Sequence, residues 1–207
     1  MSSQYESAGI RQNFFNTSID TGKYEPEGIY LSPPFIGNAR IIQRWGDNPD
    51  HYAKVTYHGV PLKGYIGVGF ELKAGAKIIA PSDGRVVEIS YDFGGLGKYI
   101  KLEHWWGESI YANLRTTLVE TGQRVARNHV IATVAPFGSS SHGRLHFGLR
   151  IKPYDRLDGW GGFTNPLPFL YMDVLRFIEN RDALGQIQAD SANPMPLFIE
   201  DLTMRRP

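Results

Sequence analysis

Gly138–Phe147 reads GSSSHGRLHF. The Ser/Gly-rich half has the composition of a turn, and Arg144 to Ile151 then runs as a β-rich segment, RLHFGLRI. Successive side chains on a strand point to opposite faces, so Arg144 and His146 share a face and reach one groove. His142 joins them if the strand extends back into the turn. Other β-rich runs lie upstream at Ile78 to Ala80, Arg85 to Ser90, Lys98 to Leu102, Ser109 to Ala112 and His129 to Val134, separated by Gly, Asp-Gly and Gly-Gly punctuation. Pro81-Ser82-Asp83-Gly84 supplies a turn between two of them, with glycine available for positive φ. The pattern predicts an all-β core, an antiparallel sandwich or barrel over roughly residues 40 to 151.

The flanks read differently. Residues 1–35 scatter Tyr5, Phe14, Phe15, Tyr24 and Tyr30 among Ser, Asn, Thr and Gly with a period of neither 2 nor 3.6, and end in Pro33-Pro34. This is an extended arm whose aromatics need a surface, either the chain's own domain or a neighbouring subunit. Asn165 followed by Pro166 is a helix start, and Leu170, Val174, Phe177 and Ile178 fall at helical spacing, which predicts a short helix over 166–180. Residues 181–207 form a polar, proline-broken tail. Trp105 and Trp106 sit at a hairpin turn before Gly107, as a carbohydrate platform or, more simply, as rings covered by an arm or partner. The Gly-Trp-Gly-Gly-Phe run at 159–163 reads as a tight loop with one aromatic anchor.

The motif and its surroundings resemble the lysostaphin-type (LytM) zinc endopeptidases, which cut peptidoglycan cross-links and share the duplicated hybrid motif fold. Their Gly/Ser/Thr turn leads into histidine-x-histidine-phenylalanine, where this chain has Arg144-Leu145-His146-Phe147. Arg40 to Tyr52, RIIQRWGDNPDHY, is similar to the family's lead-in strand and "wGxNPxxY" turn, and Lys63 to Phe70, KGYIGVGF, stands in place of "GHNGIDF". Ala74 to Val87 resembles "xGTPVxAxxDGxV", Gly97 to Glu103 the "GxxVxLxH" strand that ends here at His104, and Ile110 to Leu114 the "tYxHL" element. Val119 to Val134 and a "DPLPYL"-like Gly162 to Tyr171 complete a domain spanning 36–171.

Carried over position by position, the resemblance places the three metal ligands on Tyr65 (histidine expected), Gly69 (aspartate expected) and His146 (histidine kept). It places the two non-ligand histidines on Asn113 and Arg144. A catalytic zinc takes about three protein ligands and one water, whose pKa it lowers to about 7. Glycine has no ligand atom, a tyrosine must first lose a proton of pKa near 10, and an arginine neither ligates nor acts as a base. Asn113 hydrogen-bonds but does not exchange protons. The resemblance therefore implies a degenerate member with no metal and no catalytic residue, whose groove residues Tyr65, Asn113, Arg144 and His146 still bind a ligand. His142, His146 and Glu71 are the set from which a relocated metal site would be built. His104 stands at a strand end that is histidine in many relatives without being a ligand, and His51, His58 and His129 read as surface residues.

At 207 residues, 42% hydrophobic and 13% aromatic, the chain supports one sizeable core. Its net charge of +1 comes from dispersed acids and bases, which argues against a nucleic-acid footprint. Zero cysteines exclude disulfides and thiolate metal sites. No stretch approaches the ~20 apolar residues of a membrane span, and MSSQYESAGIRQ has neither the basic nor the apolar region of a secretion signal. That favours the cytoplasm or a particle such as a virion or injection assembly. Three readings follow: an inactive binding or structural subunit contacting other proteins through its arms and peptidoglycan peptides through its groove; a zinc endopeptidase with rearranged ligands; and a regulator of a cell-wall amidase.

Overall fold

A computed structural model describes residues 28–93 and 95–170. Among these residues lie twelve strands, β1 (Arg40–Gln43), β2 (Thr56–Tyr57), β3 (Val60–Pro61), β4 (Val68–Lys73), β5 (Lys77–Ile79), β6 (Gly84–Asp92), β7 (Gly97–His104), β8 (Gly107–Ala112), β9 (Leu114–Thr117), β10 (Arg124–Val125), β11 (Val130–Val134) and β12 (His142–Ile151), with one short α-helix, α1 (Pro49–Tyr52). A seven-stranded sheet in the order β1-β4-β12-β8-β7-β6-β10 carries the site, and a three-stranded sheet β5-β11-β9 packs on one of its faces. All the strand pairs are antiparallel. The all-β expectation holds, with strand limits shifted by a residue or two.

The large sheet is covered on both sides. On one side Val68, Phe70, Leu72, Leu145, Phe147 and Leu149 meet Ile78, Ile131 and Val134 of the smaller sheet. On the other, Ile110, Ala112 and Tyr99 lie under Tyr52, Tyr57, Leu62, Tyr65 and Phe163, which come from the segment after β1 and from the loop after β12. A strand covered on both faces loses polar alternation, which explains why β12 is buried almost throughout. Arg150, 2% exposed, pins this second cover. Its Nη2 donates to Tyr57 Oη at 2.6 Å, Nε to the Gly161 carbonyl at 3.0 Å and Nη1 to Glu108 Oε2 at 3.2 Å. Its guanidinium also lies 4.1 Å from the Phe163 ring centroid. The tight loop expected at 159–163 is thus held by a buried cation.

β7 and β8 are joined through Trp105 and Trp106, as the hairpin reading required. The two indoles part company: Trp105 is 73% exposed, while Trp106 is buried and stacks on His104 with centroids 4.4 Å apart. Gly107 follows because a Cβ there would stand 1.9 Å from the Arg150 carbonyl oxygen. His104 is not a groove residue. Its Nδ1 lies 2.7 Å from the Asp83 carbonyl and its Nε2 2.7 Å from Ser109 Oγ, itself 2.8 Å from Tyr111 Oη. A carbonyl only accepts, so Nδ1 carries the proton and Ser109 donates to Nε2 when the ring is neutral.

Of the expected arm, residues 28–35 are described, and they line the domain's own core. Ile29, Leu31 and Phe35 are buried there, and the Leu31 amide donates to the Phe169 carbonyl at 2.9 Å. Residues 1–27, the C-terminal tail and most of the expected 166–180 helix lie outside the described residues. The described start of that helix is a 3-10 turn, Leu167–Phe169, with Asn165 Oδ1 accepting from the Leu167 amide at 3.1 Å. Leu170 leaves it in extended conformation and bridges Leu31.

Candidate binding groove

β4 and β12 form the floor. Their register sets His146 opposite Gly69 and Arg144 opposite Glu71, and directly opposed side chains share a face. Ala112 of β8 flanks His146 on its other side, and Asn113 follows with φ 63°, a conformation asparagine tolerates. The Asn113 amide donates to the Leu96 carbonyl, and its carbonyl accepts from the Ala135 amide, both at 2.9 Å. Tyr65 arrives from the loop before β4 and places its Oη 2.6 Å from His146 Nδ1. The structure thus brings Tyr65, Gly69 and His146 together, sets Arg144 one face-position along and Asn113 at the adjoining strand end.

Around His146 the groove is filled by aromatic rings. Tyr65 is fully buried and stands edge-on to the imidazole at 5.1 Å. Tyr52 packs 5.7 Å from Tyr65, and its Oη accepts from Gln43 Nε2 at 3.1 Å. Gly67 permits this closeness, since a Cβ there would lie 2.5 Å from the Phe147 carbonyl oxygen and 2.6 Å from His146 Cε1. Burial penalises the charged imidazole and pulls His146 down to about 3. Burial likewise pushes the Tyr65 phenol well up, with Tyr52 and Asp47 adding to the rise and the Arg144 charge opposing it. Both partners are therefore neutral at physiological pH, so Tyr65 offers a hydroxyl and not a phenolate.

The donor set does not fit zinc. Among the described residues no three His, Cys, Asp or Glu side chains converge on one point. Glu71 is bound instead by Arg40, whose Nη2 lies 3.0 Å from its Oε1. His142 opens β12 opposite Lys73 and is exposed, so the relocated set His142, His146 and Glu71 is not assembled. His51, His58 and His129 are exposed, as read from the sequence. Sequence reasoning missed Tyr52, Gln43 and Phe137. Tyr52 ends the Asn-Pro turn, but nothing local tells that its ring turns inward to the groove. Phe137 precedes the Ser/Gly turn, and the Arg144 guanidinium lies 3.9 Å from its centroid.

A modest test of this geometry is Tyr65→Phe. It removes the hydroxyl partner of a buried imidazole nitrogen and is expected to cost about 1–3 kcal/mol in chemical denaturation. No loss would mean that the Tyr65–His146 bond contributes nothing.

Residues 63–158 match Peptidase family M23. The chain is 35% identical over 163 residues, 75% of its length and 32% of the relative's, to a protein of Haemophilus influenzae described as an uncharacterized metalloprotease. It is 34% identical over 128 residues, 61% of its length and 31% of the relative's, to the murein hydrolase activator NlpD of Escherichia coli. It spans about a third of the length of these relatives. Among solved structures, the antimicrobial peptidase lysostaphin from Staphylococcus simulans superposes with a TM-score of 0.51 at 22% identity, covering 68% of this chain and 52% of that one. That likeness concerns the fold.

Proposed function

The chain carries a LytM-type domain of peptidase family M23 across residues 63–158, and we propose that this domain acts by binding rather than by hydrolysis, as a subunit of a cell-wall-related assembly. The observation that carries the reading is the hydrogen bond between Tyr65 and His146 inside an aromatic plug. The retained histidine is neutral, buried and already partnered at Nδ1. The residue beside it is a hydroxyl at a pH where a ligand would need to be an anion, and Gly69 contributes no donor. Arg144 adds positive charge near the point where a dication would sit, and Asn113 cannot pass protons.

Within this reading, the groove's remaining polar groups, Asn113 and Arg144, hold rather than transform a ligand. The likeness to a murein hydrolase activator favours one form of it, a regulator that docks on a cell-wall hydrolase. The test is direct. Purified protein is expected to contain zinc far below stoichiometry and to release no fragments from peptidoglycan, while a regulator would raise the rate of a partner hydrolase added to the same assay. Near-stoichiometric zinc together with turnover that a chelator abolishes would overturn the binding reading in favour of an endopeptidase with rearranged ligands.

A further inference from the structure

The groove floor carries a charge row that the aromatic plug does not use. Arg40 of β1 stands opposite Glu71 of β4, and Glu71 stands opposite Arg144 of β12, so the three side chains are neighbours on one sheet face. Glu71 is taken by Arg40, through Nη2 at 3.0 Å and Nε at 3.2 Å to the same oxygen, Oε1. Among the described residues the Arg144 side chain makes no hydrogen bond or ion pair. Its guanidinium carbon lies 3.9 Å from the Phe137 ring centroid. A contact with a ring takes none of the guanidinium's N–H donors in a conventional hydrogen bond, so they remain for an acceptor. Lys73, exposed and two residues beyond Glu71 on the same face, adds a second cation to this end of the row.

The geometry points to Arg144 as the anchor of a carboxylate-binding site that takes a short peptide bearing a free carboxylate. This deepens the binding reading above and rests on it. Arginine pairs with a carboxylate through two parallel N–H···O bonds, shorter and stronger than neutral ones. Glu71 is already paired with Arg40, which leaves the Arg144 fork free of it, and a planar carboxylate matches two parallel N–H donors of that fork. Phe137, 46% exposed, supplies an apolar wall for the chain that carries the carboxylate. The carboxylate itself comes either from a peptide C-terminus or from an acidic side chain, and the two share this chemistry.

The experiment uses the full chain and three probes: N-acetyl-Ala-Gly-Ala with a free C-terminus, its C-terminal amide, and N-acetyl-Ala-Glu-Ala amide. Binding is followed by chemical-shift titration, with inorganic phosphate as a competitor. At least one carboxylate peptide is expected to bind tenfold or more tightly than the neutral amide, and which one does so identifies the source of the carboxylate. Arg144→Gln is expected to abolish the preference and Arg144→Lys to retain part of it, both with wild-type melting temperatures because the side chain is partly exposed. Equal binding of acid and amide, no binding of either carboxylate peptide, a preference that survives Arg144→Gln, or phosphate binding more tightly than the peptides would overturn the assignment. Mass analysis of the same peptides keeps the two readings separate. Cleavage would defeat the non-catalytic reading while leaving the carboxylate preference measurable.

Discussion

Acidification is expected to destabilise this domain from pH 6.5 downward, well before most carboxylates titrate, and His146 is the main reason. An imidazole in the unfolded chain titrates near 6.5, whereas burial holds His146 down to about 3 in the fold. Between those values the unfolded state binds a proton that the native state refuses. Stability from this group is therefore complete above about pH 6.5 and is lost as pH falls through the window, at up to about 1.4 kcal/mol per pH unit. His104 is shifted in the same direction, chiefly by burial, and adds to the slope at its upper end. Over the full window the His146 contribution reaches about 5 kcal/mol, comparable with the whole stability of a small domain.

The variant that isolates the effect is Tyr65→Phe combined with His146→Leu. Replacing both members of a buried polar pair by apolar groups of similar shape is close to neutral. The double variant should therefore match the wild type at pH 7.5 and surpass it increasingly below pH 6, in urea denaturation series at half-unit pH steps. An acid limb parallel to that of the wild type between pH 6.5 and 4 would show that His146 is not a buried neutral imidazole. Tyr65→Phe alone gives the contrasting result, a loss at every pH.

The two histidines illustrate what the sequence shows and what it hides. Strand alternation in RLHFGLRI sets Arg144 and His146 on one face, and the structure agrees because a single regular ladder from His142 to Phe147 enforces it. Alternation does not say what covers that face. The cover is assembled from Tyr52, Tyr57 and Tyr65 on one side of β4 in sequence and Phe163 on the far side of β12, pinned by Arg150. The two groups are about a hundred positions apart and come from very short elements and loops, too brief to carry a readable period. For the same reason the sequence could not tell that Tyr65 would bond His146. The described part of the arm shows the converse limit. Residues 29, 31 and 35 share an alternation too short and too broken by Pro33-Pro34 to be read as a strand, yet they are core because β5 and the turn after β12 leave edges that backbone groups of this segment complete.

Tyr65→His with Gly69→Asp is expected to create a zinc site, because the backbone already supplies the placement. Position 65 delivers a side-chain atom to within 2.6 Å of His146 Nδ1, and position 69 faces His146 directly across the β4–β12 ladder. Directly opposed residues have Cβ atoms about 4.5–5.5 Å apart, a span that donors meeting around one ion can bridge. Without metal the double variant should melt below the wild type, since a buried ring that packs on Tyr52 is exchanged for a smaller polar one beside a new carboxylate. Zinc at a thousandfold over its dissociation constant should then add about 4 kcal/mol, while each single variant and the wild type respond weakly. A zinc response of equal size in the wild type, or none in the double variant, would sink the placement of these positions around one point. Hydrolysis of peptidoglycan should stay at background in the zinc-loaded double variant. Arg144 still opposes the dication and offers no base, and Asn113 still moves no proton, so turnover is expected to appear only when Asn113→His and Arg144→His are added.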